Sequence, residues 1–458
     1  MINIILGPPG TGKTTKLLDI CQQKKEQGVS WDKIGFFSFS KKAAYEARDR
    51  ARELSELIGF DLVFDTNDDS IYSNSNHQFV NLINMSRLKD ISLEDEWNSS
   101  GETINWTKLD YLNRCIKDYK EENKLFDFTD MIIDYTNDTF LTQFDVLFID
   151  EAQDMPRIQY NMVSKLIKNS KETYIAGDDD QAIFRWSGAD VDRFINLKGD
   201  VTVLDKSYRC PQKVYKLANR IISRVKNRRE KNWQPKEEIG TISYIADLRH
   251  IDLSTGNWLL LGRTKKIRNE KIESFLKDRG FWYGRGDHRP VVPSTLEAIE
   301  TWQRLKSGST ISLLEVKNLY NKIKSGTGIK RGGKTFKGEN EESLFNLEDL
   351  KNNHGLLVDG YWHEVMDKVS DFDITYLRRL ERIGENIKGE PRIRVSTIHQ
   401  AKGGECDNVV VLLDLGRLVY RSYMKNPDDE HRVFYVAVTR AKKNLYIVES
   451  QQPEGYLI

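Results

Sequence analysis

A glycine-rich segment near the start of the chain constrains the fold most strongly. Residues 7–14 read Gly-Pro-Pro-Gly-Thr-Gly-Lys-Thr and fit the pattern G-x-x-x-x-G-K-[ST]. The segment follows an apolar run at Ile2–Leu6 and precedes a helical pattern from Thr15 to Lys25. A strand that turns through glycines into a helix directs backbone N–H groups at one point, and such a point binds phosphates. The sequence therefore predicts a phosphate-binding loop on an α/β fold.

Short apolar runs recur in two blocks and alternate with helical patterns. The runs are Ile2–Leu6, Ile34–Phe39, Val146–Ile149 and Tyr174–Ala176 in the first block, and Ile242–Ile245, Leu259–Leu261, Val409–Leu413 and Leu445–Val448 in the second. This alternation is typical of parallel sheets covered by helices. We therefore expect two α/β domains, each interrupted by an insertion.

The charge balance limits where a polyanion can bind. The 458 residues include 70 Lys or Arg and 69 Asp or Glu, which excludes a basic coat over the whole surface. The densest basic run lies between Lys206 and Lys236, with eleven Lys or Arg and one acid. Within it Lys213, Lys216, Arg220 and Arg224 are spaced three and four apart. Two interpretations stay open, a solvated helix face and a strip that binds phosphates.

Two acidic residues follow an apolar run and complete a nucleotide site. Asp150 and Glu151 come directly after Val146–Ile149. Beside a phosphate-binding loop, the first carboxylate can hold Mg²⁺ and the second can accept a proton from an attacking water. Lys13 would reach the outer phosphates and the Thr14 hydroxyl would ligate Mg²⁺. Strands often end in acids, so the prediction of an Mg²⁺-dependent triphosphatase depends on both elements together.

Seven further segments resemble motifs of the UvrD/Rep/PcrA group of superfamily 1 helicases, in the order that the group has them. They are SFSKKAA at 38–44, DFTD at 127–130, DEAQD at 150–154, GDDDQAIFRWSGA at 177–189, SYR at 207–209, VSTIHQAKGGE at 395–405 and RVFYVAVTRA at 432–441. Several long motifs in a fixed order are very specific.

The resemblance implies two RecA-like P-loop domains with parallel sheets, each with a mainly helical insertion. The predicted ranges are 1–60 and 125–200 for the first motor domain, 61–124 for its insertion, 201–284 and 386–458 for the second motor domain, and 285–385 for a reduced second insertion. Within that last range, the Gly/Lys-rich segment Ser325–Gly338 is predicted to be a flexible loop. We expect a minimal motor.

The resemblance also implies an ATP site. Its ATP-binding residues would be Gly7, Pro8, Pro9, Gly10, Thr11, Gly12, Lys13, Thr14, Thr15, Tyr208 on the adenine and Glu405 on the ribose. Its catalytic residues would be Lys13, Glu151, Gln181 at the γ-phosphate and attacking water, and two arginines, Arg209 and Arg440. Thr14 and Asp150 would hold Mg²⁺. Because the arginines come from the second block, the cleft would be complete only when closed, and hydrolysis would drive opening and closing.

The implied partner is single-stranded DNA and its junctions with duplex. Phe39, Phe184 and Trp186 match positions that stack on bases, since every base has a face to stack. Thr397 and His399 match the segment that contacts the strand backbone. Phe39 and Phe184 have an alternative interpretation as core residues. A single-strand-binding or replication protein is a further candidate partner. No segment reaches the roughly 18 apolar residues of a membrane span, and the expected location is the cytoplasm, at the nucleoid, or the host cytoplasm for a phage protein.

The sequence departs from the family pattern at several positions. No glutamine segment precedes the loop to read adenine, so adenine selectivity is expected to be looser or to rest on Tyr208. Ser187 and His431 stand where the family has arginines, and His77 is a weak match to the family's TxHS element. Because few residues follow Arg440, we expect no appended nuclease domain.

The leading hypothesis is an ATP-dependent DNA helicase that moves 3′ to 5′ on single-stranded DNA. One alternative is a translocase that displaces proteins from DNA with little unwinding. Another is a motor of opposite polarity, or one that uses RNA as its track. A third, from a different class, is a module that binds DNA without hydrolysing ATP.

Overall fold

The structure is a computed structural model, and it describes residues 1–38, 78–139, 142–336, 338–387 and 389–458. Its strands are β1 Ile2–Leu6, β2 Ile34–Ser38, β3 Phe144–Asp150, β4 Ser170–Gly177, β5 Asp200–Val203, β6 Thr241–Ile245, β7 Trp258–Gly262, β8 Tyr283–Gly284, β9 Ile311–Ser312, β10 Leu344–Phe345, β11 Ile393–Thr397, β12 Cys406–Leu412 and β13 Ala441–Val448. Within the described ranges up to residue 222, the helices are α1 Lys13–Glu26, α2 Gln78–Lys89, α3 Leu93–Ser100, α4 Trp106–Asn123, α5 Phe128–Asn137, α6 Arg157–Lys168, α7 Val191–Ile195 and α8 Gln212–Ile222. The later helices are α9 Lys265–Ile267, α10 Ser274–Arg279, α11 Pro293–Lys306, α12 Leu313–Asn321, α13 Leu347–Asn352, α14 Trp362–Val365, α15 Asp371–Ile383, α16 Arg417–Lys425 and α17 Pro427–Val438.

The chain divides into two compact units. Unit 1 comprises Met1–Asp247, Leu261–Thr264 and Thr397–Ile458, and unit 2 comprises Leu248–Leu260 and Lys265–Ser396. All the candidate site residues that the structure describes therefore belong to unit 1. Across the described ranges, we find no helix whose length and apolar character would let it cross a membrane.

The first sheet of unit 1 is parallel throughout, in the order β2-β3-β4-β1-β5. Its residues alternate between two apolar clusters, with Ile4 and Leu6 in one and Ile5 in the other. Both faces are therefore buried, as expected for a parallel sheet covered by helices. Since β3, β4 and β1 are neighbours, the residues after their last positions meet at one edge of the sheet.

A second parallel set of strands in unit 1 runs in the order β6-β13-β12. Helix α17 packs beside it, and its residues from Val433 to Val438 are at most 2% exposed. An apolar helical stretch with no exposed face belongs to the interior of a large core. The prediction of an α/β fold with parallel sheets is confirmed. The ranges given for the motor domains and their insertions stay predictions.

Helices α2, α3 and α4 carry a separate small core built on Leu82, Ile83, Ile104 and Leu109. The DFTD segment lies at the start of α5, where Asp127 and Asp130 form a reciprocal capping box. The Arg87 guanidinium donates to both carboxylates, at 2.7 and 2.5 Å, and so ties α2 to α5. This part of the motif therefore has a structural role.

Unit 2 has its own core, in which Trp302, Tyr320 and Trp362 are buried. In the Gly/Lys-rich segment Ser325–Gly338, residues 325–336 are irregular, but they are anchored to this core. Ile329 is fully buried, and Lys334 Nζ donates to the carbonyl oxygens of Tyr320 and Ile323 at 2.5 and 2.8 Å. The prediction of a flexible loop is therefore wrong where these contacts fix the segment.

Candidate nucleotide-binding site

The glycine-rich loop leaves the first turn of α1 without a side-chain cap. Gly12, the residue just before the helix, has φ of 79° and no side chain that could cap the helix. The first turn of the helix carries no acidic residue. The N–H groups of that turn have no partner within the helix, so they can bind an anion. A Cβ on Gly7 would lie 1.9 Å from Lys13 Cγ, and only glycine lets that side chain fold back. Lys13 Nζ donates to the Gly7 carbonyl at 2.9 Å.

Asp150, at the end of β3, faces the loop. The Thr14 hydroxyl donates to Asp150 Oδ2 at 2.6 Å. Burial raises the pKa of the Asp150 carboxyl to about 6, and the neighbouring Glu151 adds to this effect. Mg²⁺ is usually bound by one or two carboxylates together with phosphate oxygens, so this hydroxyl and carboxylate fit Mg²⁺ with a nucleotide. The described ranges contain no cluster of three or more His, Cys, Asp or Glu suited to a metal.

Glu151 has a backbone conformation that is uncommon for its residue type. Its φ is 55°, in the left-handed region that non-glycine residues rarely adopt. The buried Gln153 donates to Glu151 Oε2 at 2.5 Å and holds the carboxylate in place. Burial alone would raise the pKa of Glu151, but Lys13, Lys402, the hydrogen bond from Gln153 and Arg440 together outweigh burial, so the pKa is lowered. The carboxylate is thus ionised at neutral pH and can accept a proton.

Gln181 follows β4 and lies between a carboxylate and an arginine. Its amide nitrogen donates to Asp178 Oδ2 at 2.7 Å, and its amide oxygen accepts from Arg440 Nη2 at 3.1 Å. Arg440 is 1% exposed. Burial, with Arg209 nearby, lowers the pKa of the Arg440 guanidinium to about 9. A guanidinium short of counter-charge is suited to an incoming phosphate.

The SYR segment contacts the glycine-rich loop directly. Ser207 Oγ donates to the Pro9 carbonyl at 2.7 Å, and the Tyr208 N–H donates to the Gly10 carbonyl at 2.9 Å. A Cβ on Gly10 would lie 2.4 Å from Arg209 Cβ. Tyr208 is 72% exposed beside the loop, where it can stack on a flat ring. The Arg209 Nε donates to Glu405 Oε2 at 2.6 Å, so two residues assigned to different parts of the nucleotide also bind each other.

Lys402 is a central residue that the sequence assignments left out. Its ammonium donates to the Gln181 carbonyl at 2.7 Å and forms an ion pair with Asp154. The same nitrogen lies 5.1 Å from the centre of the Phe184 ring. It therefore joins the nucleotide cluster to the aromatic residues next to it. Its place in the VSTIHQAKGGE motif was the signal available in the sequence.

Three of the side chains assigned to DNA, those of Phe184, Trp186 and His399, form one cluster. The ring centres are 6.5 Å apart for Phe184 and Trp186, 6.0 Å for Phe184 and His399, and 5.9 Å for Trp186 and His399. Trp186 is 59% exposed. Burial, with Arg263 nearby, lowers the pKa of His399 to about 3, so its ring is neutral. Such a surface can stack on bases.

One of the DNA assignments, Thr397, differs from this cluster. Thr397 is 6% exposed, and its hydroxyl donates to Gln400 Oε1 and accepts from the Gln400 N–H. Its side chain stabilises the turn after β11 and is not displayed at the surface. Phe39 lies outside the described residues, as does the rest of its motif beyond Ser38.

The basic run between Lys206 and Lys236 divides into two parts. Lys213, Lys216 and Arg220 are exposed on one side of α8, as both interpretations require. Arg228 and Lys231 instead form ion pairs with Asp180 and its buried neighbours. Arg228 and Lys231 are therefore engaged internally, and neither interpretation holds for these two residues.

This geometry defines an α/β protein of the P-loop class, whose glycine-rich loop meets arginines that lie beside a second parallel set of strands. Two family models match: the UvrD/REP helicase N-terminal domain at residues 61–202 and the UvrD-like helicase C-terminal domain at residues 296–452. Together they span well over half of the chain. The chain belongs to the UvrD/Rep/PcrA group of superfamily 1 helicases.

Individual relatives agree with the family models. "ATP-dependent DNA helicase PcrA" of Bacillus subtilis is 25% identical, over 72% of this chain and 57% of the relative. "Probable DNA helicase II homolog" of Mycoplasma genitalium is 23% identical, over 97% of this chain and 82% of the relative. A solved structure titled "The structure of PRRSV helicase" is 11% identical and covers 99% of this chain and 53% of its own, with a TM-score of 0.37, which supports no inference.

Proposed function

We propose that the chain is an ATP-dependent DNA helicase that translocates 3′ to 5′ on single-stranded DNA and unwinds duplex with the energy of Mg-ATP hydrolysis. The observation that carries the proposal is the hydrogen bond from Arg440 to Gln181 beside the glycine-rich loop. An arginine supplied in cis stabilises the charge that develops during phosphoryl transfer. The polarity rests on family membership. This chain spans just over half of the length of the Bacillus subtilis relative, so the activity of the whole protein is part of the proposal.

The residues divide the chemistry among them. The loop N–H groups and Lys13 bind and orient the phosphates, and Glu151 accepts the proton of the attacking water. Gln181 positions that water, while Arg440 and Arg209 stabilise the charge of the transition state. Thr14 and Asp150 would hold Mg²⁺, which when bound neutralises charge on the phosphates.

The aromatic cluster supports single-stranded DNA as the strand along which the motor moves. Phe184 and Trp186 can stack on bases of any sequence, which suits a motor that must pass over every sequence. Lys402 contacts both this cluster and the Gln181 carbonyl, so a base against Phe184 and a nucleotide beside Gln181 share one lysine. We propose single-stranded DNA and its junctions as the partner, with a single-strand-binding or replication protein as a further one, and the cytoplasm as the location.

The experiment is ATP hydrolysis and strand separation on duplexes with a single-stranded tail at one end only. The proposal predicts ATP turnover stimulated by single strands and unwinding from a 3′ tail. Turnover without unwinding would favour the protein-displacing translocase, and unwinding from a 5′ tail or on RNA would favour the motor of another polarity or track. Absence of phosphate release with Mg-ATP and single strands would favour a module that only binds DNA.

A further inference from the structure

A buried acidic turn in unit 1 surrounds a single lysine. Asp178, Asp179 and Asp180 follow β4 and are each at most 1% exposed. The ammonium of Lys231 lies 3.1 Å from Asp178, 2.5 Å from Asp179 and 3.1 Å from Asp180. Its side chain is fully buried. Buried charges are costly unless they are paired, so this lysine and these acids depend on one another.

The turn continues directly into Gln181. One oxygen of Asp178 binds Lys231, and the other accepts from the Gln181 amide nitrogen at 2.7 Å. The Gln181 amide oxygen is left on the far side, where Arg440 donates to it at 3.1 Å. An amide has a donor end and an acceptor end, and its partners decide which way it points. An anionic Asp178 accepts only, so it fixes the donor end toward itself.

We propose that Lys231 is a positioning residue for ATP hydrolysis: by keeping Asp178 in its acceptor form, it holds the amide oxygen of Gln181 toward Arg440. The inference rests on the proposed function of Gln181 and adds a residue that touches neither the nucleotide nor the reacting atoms. Lys231 acts on the Asp178 carboxylate, and that carboxylate in turn orients the Gln181 side chain.

Other groups could share this role, and their contacts separate them from Lys231. Arg228 binds both oxygens of Asp180, at 2.8 and 2.6 Å, and the Arg229 N–H donates to Asp179. Arg432 donates to the Asp179 carbonyl at 2.9 Å. These contacts engage the carboxylates of Asp179 and Asp180 and the Asp179 carbonyl, and not the Asp178 carboxylate. In the part of the chain that the structure describes, Lys231 is the basic side chain that forms an ion pair with Asp178.

The electrostatics of Asp178 support this role. Burial raises the pKa of Asp178 and Lys231 opposes the increase, with smaller effects of Asp180, Lys13 and Asp179. Tyr435 of α17 also faces this carboxylate. Without Lys231, Asp178 would bind a proton more readily and could donate to the Gln181 oxygen. The amide would then turn and direct its N–H groups at the Arg440 guanidinium, which has no acceptor.

The test compares two substitutions in the line of contacts that runs from Lys231 through Asp178 to Gln181. They are Lys231→Met and Asp178→Asn. Asp178→Asn keeps the shape of the side chain but places an amide N–H donor where the carboxylate oxygen accepted from Gln181. This variant therefore tests the mechanism even if Lys231→Met fails to fold. We expect each variant that folds to lower kcat of DNA-stimulated ATP hydrolysis by about 10²-fold, the scale of one lost electrostatic contact to the transition state. KM for ATP should change by about twofold or less, because the orientation of Gln181 matters after the nucleotide has bound. Lys198→Met, which removes an exposed lysine, is the matched control.

A double-mutant cycle separates positioning from general destabilisation. In a Gln181→Ala background, Asp178→Asn should cause no further loss of kcat, since the side chain that it positions is gone. Normal kcat in Asp178→Asn, normal kcat in a folded Lys231→Met, or an additional loss in the Gln181→Ala background would each overturn the inference while the helicase proposal stands. Absence of ATP turnover in the unmodified protein would overturn both.

Discussion

The guanidinium of Arg440 donates to the side-chain oxygen of Gln181 across 3.1 Å. Gln181 follows β4 of the first sheet, and Arg440 immediately precedes β13. One hydrogen bond therefore joins the two parallel sheets of unit 1 at the position where a γ-phosphate is expected. Since Arg440 is buried and its pKa is lowered by that burial, a phosphate would relieve a charge that the protein leaves poorly compensated.

Loss of either cation at this site should stop ATP turnover. Lys13→Ala and Arg440→Ala are each expected to lower kcat of DNA-stimulated hydrolysis by at least about 10³-fold, the lower end of the effect of a lost arginine finger. Steady-state phosphate release at saturating single strands measures this, with Lys198→Met as the control. Near-normal turnover in either variant would remove that residue from its proposed role.

Two glycines test the contact between the loop and the SYR segment. Gly10 and Gly28 both have positive φ, 71° and 93°, so alanine at either costs about 1–2 kcal/mol of backbone strain. Only at Gly10 would the new Cβ overlap Arg209, at 2.4 Å, whereas at Gly28 it meets open space. We expect both variants to melt slightly earlier and only Gly10→Ala to lose most ATP turnover. Equal turnover in the two variants would contradict the importance of this approach.

The ionised Asp150 carboxylate should lower the free energy of unfolding at neutral pH. Its pKa is about 6 in the folded protein against 3.8 for the ordinary group, so the folded state binds the extra proton between these values. The stability linked to this proton is present below pH 3.8 and is lost as the pH rises through 6. Asp150→Asn should therefore melt at a higher temperature than the unmodified protein at pH 7.5, with the gap closing toward pH 4. Thermal denaturation without Mg²⁺ at several pH values tests this, and a gap independent of pH would contradict it.

Trp186 should contribute to DNA affinity. Trp186→Ala is expected to weaken binding of a single-stranded oligonucleotide by about 1–3 kcal/mol, the value of one stacked base. Tyr244→Ala, which removes another half-exposed aromatic of unit 1, is the control. Fluorescence anisotropy at fixed salt measures both. Unchanged affinity in Trp186→Ala would mean that this ring only packs against Phe184 and His399.

The elements that build the site could be predicted because local patterns encode them. The apolar run Val146–Ile149 became β3, and the glycine-rich loop with its helix followed from spacing alone. The contact between the two sheets could be predicted only from the family resemblance, because no local pattern places Arg440 next to Gln181.

Other features depend on partners that are distant in the sequence. Lys231 stands in a basic run, and a lysine in such a run is usually solvated; its burial depends on three aspartates about fifty residues earlier. Thr397 matched a motif segment that contacts the strand backbone, but its hydroxyl is engaged by Gln400, and the motif alone could not predict that local hydrogen bond. Ile329 is one apolar residue in a polar segment, too weak a signal to predict an anchor.

The separation of Gln181 and Arg440 by 259 positions has a consequence for biosynthesis. At the usual 5–20 residues per second, a ribosome needs about 13–50 seconds to travel from one codon to the other. During that interval the nascent chain can complete its first sheet and the glycine-rich loop, but it lacks Arg440, the residue proposed to stabilise the transition state. If the proposed function is correct, ATP hydrolysis therefore begins only after the ribosome has passed the codon for Arg440.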